Sequence, residues 1–355
     1  MNTVAHQILV QPTVSSRLLE LDLQNLSFGQ VFSDHMFLAE YHDGQWQSAQ
    51  IIPYGPLPMT PATSVLHYGQ AVFEGMKAYK SPIGQPLLFR PQANYQRINQ
   101  SAQRLCMPPV PEDLFMAGLL ELVRLDADWI PNQSNTALYI RPIYFANEET
   151  IGLRPATRYQ LAMIACPVGS YYADPVKLLV SQNYVRACVG GTGAAKVAGN
   201  YAASLRAEQE AQAQGYDNVL WLDAIHRKYI EECGTMNLAF VMDQVVITPP
   251  LSGTILPGIT RDSVLTLFRD LGLEVEERLI SIDEVVAADR AGILKEAFGM
   301  GTAATIAPIS QISYQGQDMR LPPATEFQYA NLVLDKLEAI KTARVPDPYG
   351  WVMKL

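Results

Sequence analysis

Apolar positions along the chain fall into short runs with two different periods. Met36–Tyr41 and Trp46–Ile52 read as strands and flank Asp43-Gly44, a pair that predicts a hairpin turn. From Asn94, the positions Ile98, Ala102 and Leu105 fall on one helical face, and Pro108-Pro109 stops that helix. Leu114, Gly118, Leu122 and Leu125 mark a second helix over Glu112–Trp129. Leu138–Phe145 and Gln160–Cys166 read as strands. PVGSYYADP, Pro167 to Pro175, gathers Pro, Gly, Ser and Asp between two apolar runs and reads as a linker. Beyond it come a strand at Lys177–Ser181, a glycine-rich segment, a helix ending at Gly215, and strands at Asn218–Asp223 and Leu238–Thr248. A helix follows Gly258, with Val264, Leu267, Phe268 and Leu271 on one face. Strands and helices mix without regular βαβ alternation, which favours an α+β or barrel-like arrangement over a doubly wound sheet.

A chain of 355 residues suits two domains. With 48% hydrophobic and 17% charged residues, the composition is that of a globular protein. The net charge is 26 − 35 = −9, and no basic run occurs. Nucleic acid and anionic membrane are therefore not expected as partners. Cys106, Cys166, Cys188 and Cys233 form no CxxC pair and no metal-ligand spacing with histidine, so no metal is expected, and scattered thiols fit a reducing compartment. No charged n-region precedes an apolar h-region at the start, no arginine-rich transit segment occurs, and no apolar stretch approaches the ~18 residues of a spanning helix. The expected location is the cytoplasm.

Lys196 is the only lysine between Lys177 and Lys228, and nothing within three positions of it carries a charge. Apolar company suits an amine that must lose its proton and bond to a carbonyl or to pyridoxal phosphate. It equally suits a loop lysine whose head reaches water. The nearby glycines form no P-loop, because Ala195 precedes the lysine and Val197 follows it. They form no dinucleotide fingerprint, because Lys196 stands where the third glycine belongs.

Other segments hold candidates for a pyridoxal site. Such a site needs a carboxylate at the ring nitrogen and a phosphate cup. Glu231-Glu232 lies between apolar strands, as a solvated loop or with one acid facing inward. In LPGITRDS, Leu256 to Ser263, Thr260 stands at the expected helix N-cap, as a plain cap or a phosphate ligand. GMGTAAT, Gly299 to Thr305, is a tight turn or a backbone anion nest. Arg97 is a surface charge or a phosphate clamp.

Taken with LHYGQAVFEGMKAY (Leu66–Tyr79), YIRP (Tyr139–Pro142) and EECGTMN (Glu231–Asn237), these segments resemble the branched-chain amino-acid aminotransferases. The motifs run in that family's order, from about residue 30 to the end of the chain. The resemblance implies a pyridoxal 5'-phosphate enzyme of fold type IV, an α+β fold with two domains. A smaller α/β domain would span residues 1–166, a linker 167–176, and a larger pseudo-barrel domain that binds the cofactor 177–355.

The resemblance also implies roles. Lys196 would bond the cofactor and carry the proton, and Glu232 would face the pyridine nitrogen. Tyr201 would lie near the ring hydroxyl, Thr235 beside Glu232, and Leu256 against the ring. Arg97, Ile259, Thr260 and Thr302 would form the phosphate cup. Tyr68, Phe73, Tyr139 and Tyr171 would line the substrate pocket, with Leu153 entering from the partner of a homodimer. The Thr302-Ala303 backbone and the Tyr139 hydroxyl would hold the α-carboxylate, and Arg141 with Tyr68 the side-chain carboxylate of glutamate. Substrates would be small amino acids and 2-oxo acids. The FEGMKAY and EECGTMN segments disfavour the D-amino-acid aminotransferases and aminodeoxychorismate lyases, which share the lysine and glutamate.

Some mitochondrial-type members carry CxxC after the GTA turn, where this chain has Ala304 and Ala307. No thiol switch is expected there. Mild peroxide should cause no loss of activity that a thiol reductant restores, and such a reversible loss would contradict the expectation.

Overall fold

The computed structural model describes residues 7–22, 26–169, 171–172 and 174–355. The first six residues, and Ser170 and Ala173 of the expected linker, lie outside the described residues. The chain divides into two units. One comprises the chain up to Tyr171 with Ala195–Gly199 and Ile340–Leu355; the other comprises Tyr172–Ala194 and Asn200–Ala339.

A ten-stranded sheet forms the first unit. Its order is Ile8–Val10, Ala49–Pro53, His35–His42, Tyr159–Val168, Ala137–Ala146, Met76–Lys80, Pro86–Phe89 and Val352–Lys354, with Gln45–Trp46 and Ala71–Phe73 attached at the side. Pairing is antiparallel except between Ile8–Val10 and Ala49–Pro53. The predicted hairpin forms: Tyr41 pairs with Trp46 and His42 with Gln45. Asp43 (φ +52°) and Gly44 (φ +77°) take the two left-handed positions that a type I′ turn requires. Strand alternation sorts the side chains. Phe37 and Ala39 join the main core with Ile98, Leu114, Phe115 and Leu122 of the two helices, whereas Met36 and Leu38 join a separate cluster with Ala162.

The two helices predicted for this unit differ at their ends from the sequence reading. The first spans Pro91–Arg104 and starts three residues before Asn94, because proline needs no N–H acceptor at the first helical position. The second spans Glu112–Leu125 and is followed by a separate 3-10 turn, Ala127–Trp129. Between them the buried Asp126 turns inward to accept from the His35 backbone (3.2 Å) and to bond its ring Nδ1 (2.6 Å).

The second unit carries a nine-stranded sheet. Its order is Ile230–Cys233, Asn218–Leu222, Val176–Val180, Thr305–Tyr314, Leu294–Gly301, Asn237–Met242, Val245–Thr248 and Val275–Glu277, with Gln317–Arg320 on Thr305–Tyr314. Ile230–Cys233 and Asn237–Met242 are joined by three residues, yet four strands separate them in that order. A connection so short forces the sheet to curl round on itself, which gives the expected barrel-like shape. The run Leu238–Thr248 is two strands rather than one. It folds back at Asp243-Gln244, with Asp243 at φ +56° and Met242 paired to Val245. Among the described residues, no helix is long and apolar enough to cross a membrane.

The division is not a single cut at residues 167–176. The lysine segment belongs to the first unit because its backbone bonds there. Phe73 N–H donates to the Lys196 carbonyl (3.1 Å), Lys196 N–H donates to Ser101 Oγ (2.9 Å), and Val197 bridges Val72. The C-terminus joins the same unit through Val352–Lys354, paired to Pro86–Phe89.

Gly118 faces Phe37 so closely that a Cβ there would lie 2.4 Å from the ring, and Phe37 is fully buried. Alanine would improve helix propensity by ~1 kcal/mol, against ~1–3 kcal/mol for overpacking. Gly118→Ala is therefore expected to lower the urea midpoint modestly. An unchanged or higher midpoint would mean that the Phe37 ring moves aside.

Candidate active site

In the first unit Lys196 is partly buried, with its backbone fixed as described and its Nζ 4.7 Å from the centre of the Phe73 ring. The next residue of that strand end, Glu74, is fully buried. Arg97 grips it with two bonds, Nε to Oε1 at 2.7 Å and Nη2 to Oε2 at 2.8 Å. Asn94 Nδ2 adds a bond to Oε2 at 2.7 Å and the Gly75 N–H another at 3.1 Å. Burial pushes the Glu74 carboxyl up, but the charge and hydrogen bonds of Arg97, the charge of Lys196 and the Asn94 bond hold it below the usual carboxylate range.

Tyr139 and Arg141, two apart on one strand, share a face. Arg141 Nη2 donates to the Tyr139 hydroxyl (3.0 Å), and its guanidinium lies 4.6 Å from the Phe73 ring centre. Tyr139 enters this space because Gly75 has no side chain: a Cβ there would lie 2.0 Å from the Tyr139 hydroxyl. Phe28 packs edge-on against both Tyr139 (4.8 Å) and Tyr171 (5.1 Å). The first unit thus brings together Lys196, Phe73, Arg97, Tyr139, Arg141 and Tyr171. Tyr68 and Leu153 are instead exposed, at 39% and 88%; Tyr68 ends a one-turn helix stopped by Gly69 at φ +62°.

In the second unit the paired glutamates of Ile230–Cys233 occupy opposite faces of their strand. Glu232 Oε1 accepts the Leu256 N–H (2.7 Å) and, more weakly, Asn237 Nδ2 (3.4 Å), and Oε2 faces Arg186 Nε at 3.2 Å. Glu231 accepts the Thr254 hydroxyl at 2.5 Å, and its Oε2 is buried without a hydrogen-bond partner. Burial pushes the Glu231 carboxyl up against the lowering effects of Thr254 and Arg186. Glu232 is therefore the acid held by a cation and by amide donors, and Glu231 the one whose carboxyl burial pushes up.

Asn237 also donates to the Leu256 carbonyl (2.9 Å), and a Cβ on Gly258 would lie 2.0 Å from Asn237 Oδ1. The helix begins at Ile259, so the N-cap is Gly258 and not Thr260. The Gly258 backbone is extended and its carbonyl already accepts the Asp262 N–H, which leaves the buried Thr260 in the first turn. Thr302 and Ala303 form the turn between Leu294–Gly301 and Thr305–Tyr314. Tyr201 lies in the first part of the helix Ala198–Ala213, and Thr235 is exposed in the turn after Cys233. A cavity of about 250 Å³ near Ser181, Tyr184 and Glu210 includes none of these residues.

The sequence reading passed over Glu74, Phe28, Arg186 and Asn237. Glu74 carried a signal, as a lone acid in the apolar run AVFEGM demands a buried partner. Phe28 carried none.

The family profile described as amino-transferase class IV matches residues 71–312. The chain belongs to the class IV aminotransferases. Its class IV relatives include branched-chain-amino-acid aminotransferase 2 of Bacillus subtilis (strain 168), 48% identical over 338 residues, 94% of this chain and 93% of that one. Among solved structures, the Escherichia coli branched-chain amino acid aminotransferase is similar at a TM-score of 0.73 and 28% identity, covering 90% of this chain and 98% of that one. The T.th. branched-chain amino acid aminotransferase complexed with N-(5'-phosphopyridoxyl)-L-glutamate is similar at a TM-score of 0.72 and 30% identity, covering 89% of this chain and 97% of that one. The expected fold, the two-domain α+β arrangement of fold type IV, is what this class IV chain adopts.

The Glu74–Arg97 pair gives a pH signature. The folded carboxyl titrates below its unfolded value of about 4.5, so the unfolded chain takes up the proton first. Stability from the pair is complete above that value and is lost as pH falls through the folded one. Glu74→Gln should cost about 3–5 kcal/mol at neutral pH by leaving Arg97 buried without its counter-charge. In paired urea titrations the gap between native and variant protein should narrow below about pH 4.5. A gap independent of pH would contradict the assignment.

Proposed function

We propose that this protein is a branched-chain-amino-acid transaminase that uses pyridoxal 5'-phosphate. It would move the amino group between L-leucine, L-isoleucine or L-valine and 2-oxoglutarate by a ping-pong reaction through Lys196. The observation that carries this reading is Lys196 itself. Its backbone is fixed at both N–H and carbonyl, while its amine stands over an aromatic ring beside a buried ion pair.

The donor chemistry suits the cofactor. There is an amine, a structurally held carboxylate at Glu232, a buried arginine, and a helix whose first turn directs N–H groups outward behind a glycine with no room for a side chain. When bound, the cofactor supplies a protonated ring that spreads the negative charge left at the substrate α-carbon.

Each residue then has a task. Lys196 would hold the cofactor, and its Nζ would carry a proton to and from the substrate α-carbon, a contribution of ~10²–10⁴ in rate. Glu232 would keep the ring nitrogen protonated, Tyr201 would serve the ring hydroxyl, Leu256 would pack the ring, and Thr235 would lie beside Glu232. Arg97, Ile259, Thr260 and Thr302 bind the phosphate.

The Tyr139 hydroxyl and the Thr302-Ala303 backbone orient the α-carboxylate. Phe73, Tyr68 and Tyr171 surround an aliphatic side chain, and Arg141 with Tyr68 receives a side-chain carboxylate. An arginine resting on an aromatic ring supports such a dual pocket. The ring presents an apolar wall, and the guanidinium supplies a carboxylate partner when one is needed. Leu153 would enter the partner's pocket in a homodimer, a reading supported by its exposure and that of Ile151. The expected location is the cytoplasm.

The purified protein should be yellow, and L-leucine should change its visible absorption band while D-alanine does not. Lys196→Ala should lose the band and more than 10²-fold in turnover. A borohydride-reducible cofactor linkage that survives in Lys196→Ala would overturn the assignment of the lysine. A colourless protein that takes up no pyridoxal phosphate would overturn the function.

A further inference from the structure

The guanidinium of Arg186 joins three segments that are distant in the chain. Its Nε faces Glu232 Oε2 at 3.2 Å, and its Nη2 donates to the Gly193 carbonyl (3.0 Å) and to the Thr254 carbonyl. The side chains of Arg186 and Glu232 are both nearly buried. Gly193 is needed for this convergence: a Cβ on it would lie 2.3 Å from the Thr254 carbonyl oxygen and 2.5 Å from the Ala187 side chain. The other oxygen of Glu232 is committed to the Leu256 N–H. The neighbouring acid, Glu231, bonds the Thr254 hydroxyl instead, and the ion pair of Arg186 is with Glu232. A planar guanidinium can meet one carboxylate and two carbonyls at once, which a lysine ammonium at the same place cannot do in the same plane.

We propose that Arg186 is the positioning residue of the ring-nitrogen carboxylate: it keeps Glu232 ionised and aimed, and ties it to the Gly193 backbone three residues before Lys196. The inference rests on the assignment of Glu232 to the pyridine nitrogen. A carboxylate in this buried place without its cation takes up a proton. Glu232 would then hold the proton that the ring nitrogen needs, and the bound ring would lack its positive charge.

The test is a cycle of Arg186→Met, Glu232→Gln and the double variant, all as holoenzyme, with ¹⁵N-labelled cofactor observed by NMR alongside turnover. Arg186→Met should shift the ring nitrogen toward its unprotonated signal and lower kcat roughly 10- to 100-fold. The double variant should be no slower than Glu232→Gln alone, because Arg186 acts through that carboxylate. Arg186→Lys keeps the charge but loses the bonds to the Gly193 and Thr254 carbonyls; it should retain the protonated signal while its thermal midpoint falls. Losses that multiply in the double variant, or a ring nitrogen that stays protonated in Arg186→Met, would overturn the proposal. Should Arg186→Met fail to fold, the double variant, which leaves no unpaired buried charge, is expected to fold, and its failure would overturn the pairing. A native protein with no cofactor band would instead strike at the reading of the whole site.

Discussion

The backbone bonds of the lysine segment are the constraint on which the first unit's chemistry depends. A glycine-rich loop would ordinarily let its lysine wander, since glycine carries the largest backbone entropy. Here one N–H and one carbonyl of Lys196 are both taken, by Ser101 and Phe73. Val197 and Ala195 are buried in the core on either side. The flexible four-carbon side chain therefore starts from a fixed point, and its amine stands over the Phe73 ring. Ala71–Phe73 is itself held by Ala137–Ala146, the strand that presents Tyr139 and Arg141. One sheet thus sets both the amine and the aromatic group around Phe73.

Buried charge is handled the same way in both units. Glu74 is matched by Arg97 on both oxygens, with further donors on Oε2, and Glu232 by Arg186 on Oε2, with amide donors on Oε1. Such pairs add little net stability compared with apolar residues of the same size, because desolvation offsets most of the attraction. Their value lies in direction: the Arg97 fork on Glu74, and the cation and amide donors on Glu232, hold each acid in one orientation. The unpaired oxygen of Glu231 shows the contrast, as burial without a full partner set favours the neutral acid.

Much of this was legible in the chain. The hairpin at Asp43-Gly44, both helices of the first unit, the strands around Ala137–Val168 and the helix after Gly258 follow from period and turn chemistry. The errors lie where a local rule met a tertiary demand. Asp126 left its helix to bond His35, Pro91 opened a helix earlier than Asn94 suggested, and Gly258 took the capping place because Asn237 leaves no room for a side chain there.

What the sequence by itself determined was the set of elements, the order of the motifs, and the identity of the lysine and its candidate companions. These depend on side-chain type, spacing and turn residues, which are local properties. Only the tertiary structure decided which glutamate of the pair meets an arginine, that Arg97 is bound to Glu74, and that Phe28 meets Tyr139 and Tyr171. It also decided that the lysine segment belongs with strands more than a hundred residues before it. Those outcomes turn on burial and on partners distant in the chain, and no window of sequence contains both sides of such a contact.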